Sequence, residues 1–414
     1  MKLSCIHAVR NSGVGAAQRV GQASRLSLTS MQNDHLLTRD GIEVGDRRDA
    51  CPAAALLLAM LFAGSAAGVE SLSVLTYNTH GNQVADWSTN SPQVQAIGRQ
   101  MSYLQPDVIT FQEIPFTNTW QMPNFVRAFL PGYQLATNSG TDGYIRSVIL
   151  SRFPIIRSTK WLDGVSLTNF GYDGSFTRDL FEAEIAVPDY NANLHVFTTH
   201  LKSGSATADK QRRAAEASAI SNFLTTVFLP AAPGHPYLLT GDMNEHYTTN
   251  AILRLTNAPT GLRLTTPVNP FTGTRFTFSI RGSLVSRYDY ILPSGLLWSN
   301  VTSSQVFRTD LLTNPPPPLL TADAVTASDH LPVVMTFANP FNTPFHLLSL
   351  TASNQQITLR WETAAGRRYR VEASSNLTAW FSLTTNLTAT SPVSTFTTNA
   401  GGSGVKFFRI YREP

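Results

Sequence analysis

At 414 residues, with 42% apolar and 14% charged residues, the chain can bury the core of one large domain and a smaller one. Its formal net charge is +4, much of it in residues 1–67, and the absence of a polybasic run excludes nucleic-acid binding through an extended basic arm. The two cysteines, Cys5 and Cys51, precede the predicted mature chain, which excludes a disulfide or a thiolate metal site there.

Residues 1–46 are polar, lack periodicity and read as sequence upstream of the true start. Arg47-Arg48, an apolar run from Ala53 to Ala63 and the small-residue string Gly64-Ser-Ala-Ala-Gly68 have the layout of a secretory signal, with cleavage expected near Ala67. The apolar run is too short to span a bilayer. The expected destination is secreted or periplasmic; the competing reading is a disordered extension on a tethered or cytosolic protein.

Residues 68–338 alternate strands and helices. Ser71 to Asn78 reads as a strand buried on both faces. Ser91-Pro92 is a helix start, and Val94, Ile97, Met101 and Leu104 follow at helical spacing up to Pro106. Strands are expected at Val108–Phe111, Ser147–Leu150, Leu180–Val187, Asn193–Thr199, Tyr237–Thr240, Tyr288–Leu292 and Leu331–Phe337, with a long Ala-rich helix from about Asp209 to Phe228. Such a mixture implies a layered α/β or α+β domain. Residues 339–345 read as a linker, and 346–414 as a small all-β sandwich with no clustered His, Asp or Glu.

Five stretches place polar catalytic types at the ends of apolar runs: Leu75-Thr-Tyr-Asn78, Phe111-Gln-Glu113, Thr199-His200-Leu-Lys202, Gly241-Asp242-Met-Asn244 and Ser328-Asp329-His330. Taken singly, each has a bland explanation as a turn, cap or solvated strand end. Their joint occurrence points to one metal–phosphate site. Phosphodiester hydrolysis needs a cation to neutralise the phosphate, a base to activate water and donors for the growing charge. Asn78 and Glu113 offer the oxygen ligands that hard cations prefer. Asp242 and Asn244 are expected to alternate along an extended segment and face one site, as base and phosphate donor. His200 and His330 add acid–base or transition-state contacts, with Asp289 orienting His330.

The ordered set Leu-Thr-Tyr-Asn78, Gln-Glu113, Ile149-Leu-Ser-Arg-Phe-Pro154, His200, Gly-Asp242-Met-Asn244, Tyr-Asp289-Tyr and Ser-Asp329-His330-Leu-Pro resembles the endonuclease/exonuclease/phosphatase superfamily, over about residues 70–338. That family includes deoxyribonuclease I, exonuclease III-type enzymes, neutral sphingomyelinases and inositol polyphosphate phosphatases. The resemblance implies a four-layer α/β/β/α sandwich, deoxyribonuclease-I-like, followed here by the β-sandwich module. It implies Mg²⁺ or Mn²⁺ held chiefly by Glu113, with Asn78 and Asp329 nearby. Asp242 would position or deprotonate the attacking water, Asn244 and His200 would contact the phosphate, and an Asp289–His330 pair would stabilise it. Arg178 stands where relatives often place a phosphate-binding arginine. The C-terminal segment resembles immunoglobulin- or fibronectin-like modules of exported proteins, a surface or polysaccharide attachment or a passive cap.

The expected function is therefore an exported phosphodiesterase acting on nucleic acid. A sphingomyelinase-like phospholipid phosphodiesterase or a phosphatase is the alternative, and a non-catalytic binder on the same fold the second. Aromatic-tipped loops would favour lipid and a basic groove DNA; Phe170-Gly-Tyr172 and Phe271 to Phe278 are the candidate loop aromatics.

Overall fold

The computed structural model describes residues 7–10, 71–81, 87–138, 142–256, 259–280, 282–341, 345–353, 355–364, 367–399 and 405–413. The expected signal segment, its cleavage site near Ala67, Cys5 and Cys51 lie outside the described residues. The strands of the N-terminal three-quarters are β1 (His7–Arg10), β2 (Ser71–Asn78), β3 (Val108–Pro115), β4 (Gln134–Thr137), β5 (Ile145–Ser151), β6 (Ile155–Trp161), β7 (Leu180–Ile185), β8 (Leu194–His200), β9 (Tyr237–Asp242), β10 (Phe278–Ile280), β11 (Ser283–Ser286), β12 (Asp289–Pro293), β13 (Val301–Val306) and β14 (Val333–Ala338). The helices are α1 (Pro92–Leu104), α2 (Met122–Phe129), α3 (Thr207–Phe223), α4 (Leu229–Ala231), α5 (Asn250–Thr256), α6 (Gly295–Trp298) and α7 (Asp323–Ala327).

Two sheets pack face to face. One has the order β13-β14-β2-β3-β5-β4 and the other β12-β9-β8-β7-β6. Each contains one parallel pair, β2 with β3 and β8 with β9, so the C-terminal ends of four strands gather at one edge of the sandwich. Helices α1 and α2 cover the outer face of the first sheet, where Val94, Ile97, Met101 and Phe125 pack on Leu75, Tyr77, Ile109 and Phe111. Helices α3 and α5 cover the second, with Ile220, Phe223 and Ile252 on Phe197, Leu239 and Tyr290. The result is the expected four-layer sandwich.

The period-two alternation of strands decides what lies between the sheets. Leu72 and Val74 of β2, Val108 of β3, Leu194 and Val196 of β8, and Leu238 of β9 form its apolar half together with Val333, Met335 and Phe337. Each fully buried aliphatic side chain of this kind contributes about 1.5–3 kcal/mol. Two residues further along the same strands, the inward positions become Thr76, Thr110, Thr198 and Thr240, all fully buried. Their hydroxyls are satisfied across the gap: Thr110 Oγ1 lies 2.9 Å from Thr240 Oγ1, and Gln112 Nε2 donates to Thr198 Oγ1 at 3.0 Å. One more step of two brings Asn78, Gln112, His200 and Asp242. The sandwich interior thus grades from hydrocarbon through a threonine layer to ionisable groups.

Several elements differ from expectation. Ser91 makes no side-chain cap, although Pro92 does open α1. The long helix does not keep α-winding to Phe228: after Phe223 it changes to a π-helical turn over Leu224–Phe228 before α4. His7–Arg10, in a stretch read as non-periodic and upstream of the true start, pairs antiparallel with β20 (Val405–Glu413), whose edge leaves backbone groups free to pair.

The C-terminal strands are β15 (Leu347–Ser353), β16 (Gln356–Glu362), β17 (Arg368–Ser374), β18 (Phe381–Thr388), β19 (Val393–Asn399) and β20 (Val405–Glu413). They form two sheets, β15-β16-β19 and β1-β20-β17-β18, around Ile357, Leu359, Trp361, Tyr369, Val371 and Phe408. No helix occurs among the described residues of this module. Arg367 and Arg412 both donate to the Phe341 carbonyl, and Arg367 also to the Asp189 carbonyl at 3.2 Å, which ties the module to the loop after β7.

Candidate active site

The gathered strand ends carry the predicted residues. Asn78 ends β2, and its Nδ2 donates to Glu113 Oε1 at 3.0 Å and to Asp242 Oδ2 at 2.9 Å. One amide therefore clamps a carboxylate from each sheet. Its Oδ1 accepts the His80 backbone N–H at 2.9 Å.

Strict alternation would send Glu113 outward, since Gln112 already faces inward. A register shift between Phe111 and Ile114 and a left-handed backbone at Glu113 (φ 60°) turn its side chain back to the strand ends. Thr79 secures this bulge, its N–H and its hydroxyl both bonding Gln112 O at 3.0 Å.

In the opposite sheet, β8 and β9 pair in register so that His200 lies beside Asp242. This close pairing explains the glycine before Asp242. Gly241 has φ +131°, and a Cβ there would fall 1.9 Å from the Thr199 carbonyl oxygen. His200 Nε2 stands 3.5 Å from Asp242 Oδ2 and 3.9 Å from Glu113 Oε1, while both its ring nitrogens are buried without a hydrogen-bond partner. Burial, with the nearby Arg178 charge second, holds its pKa well below the usual histidine value, so it is neutral at pH 7.

Asp289 opens β12 opposite Asp242. Its Oδ2 lies 2.8 Å from His330 Nδ1, and its Oδ1 is buried without a partner. His330 Nε2 points at Asp242 Oδ2, 3.7 Å away. Burial alone would lower the His330 pKa, but the carboxylates of Asp289 and Asp242 overcome it and raise it. Burial raises the Asp242 carboxyl, and Asp289 adds to this against the opposing effect of His330. Phe278 lies over His330, with ring centroids 4.9 Å apart.

Asn244 departs from expectation. It is not on an extended segment with Asp242 but in a left-handed turn (φ 49°). Its N–H caps Asp242 Oδ1 at 2.8 Å, and its Nδ2 donates to the Leu201 carbonyl at 3.2 Å. The turn, not strand alternation, brings it to the site. Asp329 pairs with His80 Nδ1 at 3.3 Å. The compact donor groups are Glu113–His200–Asp242 and Asp242–Asp289–His330, and Asp329 belongs to neither. Arg178 lies beside them, with Nε on Asp142 Oδ2 and Nη1 on the carbonyls of His200 and Leu201, each at 3.1 Å.

Three supporting residues escaped the sequence reading. His80 faces Asp329, and its position two residues after Asn78 was the available signal. Gln93 Nε2 donates to the carbonyls of Thr79 and Ala327, both at 2.8 Å, joining two motif loops to α1. Glu216, an acid on the buried face of α3, accepts the backbone N–H groups of Thr177 and Lys202 at 2.9 Å each. It thereby fixes the segments that carry Arg178 and His200.

Glu113, His200 and Asp242 present ligand atoms within 4.8 Å of one another, and Glu113 Oε2 is buried with no hydrogen bond. A buried carboxylate oxygen without a donor is destabilising unless a cation or proton meets it. The site therefore fits a divalent metal ion.

Several solved structures align with much of this chain. The human Nocturnin catalytic domain with bound sulfate aligns over 66% of this chain and 94% of its own, at 16% identity and TM-score 0.49. Sphingomyelinase C from Streptomyces griseocarneus aligns over 64% and 99%, at 18% identity and TM-score 0.46. ANGEL2, a 2′,3′-cyclic phosphatase, aligns over 65% and 96%, at 14% identity and TM-score 0.45. No curated protein matches the chain. The model of the Endonuclease/Exonuclease/phosphatase family matches residues 75–330, more than half of the sequence, and the chain belongs to that family of phosphoester hydrolases.

Proposed function

We propose that this chain is an exported, Mg²⁺- or Mn²⁺-dependent phosphodiesterase that cleaves its substrate by in-line attack of water. The observation that carries the reading is Glu113, whose Oε1 accepts from Asn78 and stands 3.9 Å from His200 while its Oε2 is buried and unpartnered. Glu113 would hold the ion, with Asp329 contributing from the same edge; Asn78, whose Nδ2 faces Glu113 and Asp242, would join them with its amide turned to present Oδ1. When bound, the ion neutralises phosphate charge and so lowers the barrier to attack. Asp242 takes the proton of the attacking water through Oδ2. Asn244 keeps that carboxylate oriented through its N–H on Oδ1. His330, held as a cation by Asp289, donates from Nε2 to the charge that grows on the phosphoryl oxygens. Neutral His200 and Arg178 contact the phosphate from the opposite side.

Nucleic acid is the first substrate class. The cations at the mouth are paired, Arg178 with Asp142 and Lys202 with Asp209, so duplex binding along a basic stripe is not supported. Exposed rings supply another contact. Trp120 (68% exposed) and Tyr144 (60%) lie beyond the Glu113 bulge, where the Phe116 N–H bonds the Tyr144 carbonyl, and Phe271 (61%) precedes the segment that packs on His330. Bases of a single strand stack on such rings. The same exposed residues, with Ile280 on the β10–β11 hairpin, favour a phospholipid head group as the second reading.

The test is a panel on purified protein with Mg²⁺, Mn²⁺ or EDTA, using single-stranded DNA, RNA, plasmid, sphingomyelin vesicles and a phosphomonoester. Metal-dependent cleavage of nucleic acid, absent in Asp242→Asn, supports the first reading. Vesicle hydrolysis alone moves the protein to the second, and no turnover with metal bound leaves a binder. Export rests on residues 47–68, and a secreted chain starting near Met1 refutes the cleavage site. The C-terminal module is proposed either to attach the enzyme to a surface or polysaccharide or to act as a passive cap.

A further inference from the structure

The far end of β8 holds a second cluster of ionisable side chains that the phosphoester chemistry does not use. His195, the second residue of the strand, lies on its outer face, whereas His200 ends it on the inner one. His195 Nδ1 is 2.7 Å from Glu182 Oε1, and its Nε2 is 3.0 Å from His235 Nδ1. Glu182 is buried and also accepts the Trp161 indole N–H at 2.7 Å and an Arg157 N–H at 3.2 Å. The His195 ring is fixed by Phe228, whose centroid is 4.9 Å away in an edge contact. Phe228 ends the π-helical turn, a rare winding that recurs at functional sites. Beside the pair opens a cavity of about 360 Å³, with Trp161, Phe223 and Phe228 as walls and Arg157, Glu182, Glu184, His195 and His235 as its polar lining.

We infer that His195 Nε2 and His235 Nδ1 form a binding site for a borderline-soft divalent transition metal, with Zn²⁺ as the type ion. A carboxylate on the far nitrogen of a ligating histidine fixes its tautomer and raises its basicity, and Glu182 occupies that position on His195. Two nitrogens on a tetrahedral zinc stand roughly 3.3 Å apart, given Zn–N bonds of about 2.0–2.1 Å. At 3.0 Å the two nitrogens share a hydrogen bond, so metal binding would break it and turn the His235 ring aside, which is open to it because that ring is partly exposed on a loop. The charge balance also suits a cation. Glu182 and Glu184 outnumber Arg157, which bridges both. Imidazole donors exclude Mg²⁺ as the preferred ion and separate this site from the oxygen-rich one. The cavity leaves room for water or an external ligand to complete the coordination.

The experiment uses the full chain freed of metal with EDTA. Zn²⁺ is titrated by calorimetry, and Co²⁺ by visible absorption. Four proteins are compared: the parent, Glu113→Ala, His235→Ala and Glu182→Gln. Glu113→Ala, lacking the main ligand of the other site, is expected to retain one Zn²⁺ and a nitrogen-ligated Co²⁺ spectrum. His235→Ala should bind one equivalent fewer than the parent, and Glu182→Gln should bind about 10–100-fold more weakly. Because Glu182 is buried, circular dichroism checks that its variant folds; half-exposed His235 carries the test if it does not. An unchanged Zn²⁺ stoichiometry and affinity in folded His235→Ala overturns the inference.

Discussion

Strand β8 carries two buried histidines five positions apart, His195 and His200, each beside a carboxylate, and their surroundings differ in one respect. Both nitrogens of His195 have partners, Glu182 and His235. Neither nitrogen of His200 has one, although Asp242 and Glu113 stand 3.5 and 3.9 Å away. An unsatisfied buried polar group costs about 1–3 kcal/mol. The protein tolerates that cost at one end of the strand and avoids it at the other. The unpartnered atoms of His200, Glu113 and Asp289 therefore mark where ligands complete the structure. At His195 a metal would instead have to replace the existing hydrogen bond to His235.

The comparison breaks most visibly in catalysis. Asp242→Asn and His330→Ala are expected to lower kcat by more than about 100-fold while far-ultraviolet circular dichroism stays unchanged, since each removes a base or a charge-stabilising donor. Near-normal turnover in His330→Ala would refute the site assignment. Glu113→Ala should lose Mg²⁺ or Mn²⁺ binding and turnover together, as read by calorimetry and by the metal dependence of the rate. Retained metal affinity with lost turnover would place the ion elsewhere.

The two histidines should then separate. His200→Gln is expected to reduce kcat by roughly 100-fold at little cost in melting temperature, because it breaks no hydrogen bond and leaves little cavity. His195→Gln should do the reverse, costing on the order of 1–3 kcal/mol by stranding Glu182 and His235, with kcat near that of the parent. If both variants behave alike, partner satisfaction is the wrong criterion.

Asp179 gives a pH signature close to the site. Burial, helped by Asp163, pushes its carboxyl up to about 7, against the Lys160 charge and the hydrogen bond from Asn138. An unfolded Asp titrates near about 3.9, so between about pH 4 and 7 the folded state holds a proton that the unfolded state has released. Stability from this group therefore falls as pH rises through that window and levels off above it, by on the order of 4 kcal/mol. Asp179→Asn should flatten the decline, as measured by urea unfolding at pH 5 and pH 8; an unchanged slope removes Asp179 as its source. The smallest effect is expected far from the chemistry. Arg367→Ala should loosen the C-terminal module at a cost of about 1.5–3 kcal/mol and leave kcat untouched.

Much of this was legible in the sequence because strands have a period of two. Runs such as Leu72-Ser-Val74-Leu-Thr76-Tyr-Asn78 already state that one face passes from hydrocarbon to threonine to a functional amide. The strands read from such runs exist, with ends displaced by a few residues. Short elements were missed, among them α2 and the edge strand β4, because four to eight residues give too few repeats of either period. At the site, Asn78, Glu113, His200, Asp242, Asn244, Asp289 and His330 do converge, while Asp329 sits with His80 outside the compact donor groups.

The sequence by itself determined the strand ends and their residue types, since local alternation and turn chemistry need no distant contact. The tertiary structure alone decided how those ends meet. The bulge that turns Glu113 inward, the left-handed turn at Asn244, the amide of Asn78 between two carboxylates and the Asp289–His330 pair all depend on partners 35 to 164 positions away or on strained backbone that only surrounding contacts hold. The Glu182–His195–His235 cluster was silent for the same reason: three separated residues acquire a common chemistry only when the second sheet and its π-turn close around them.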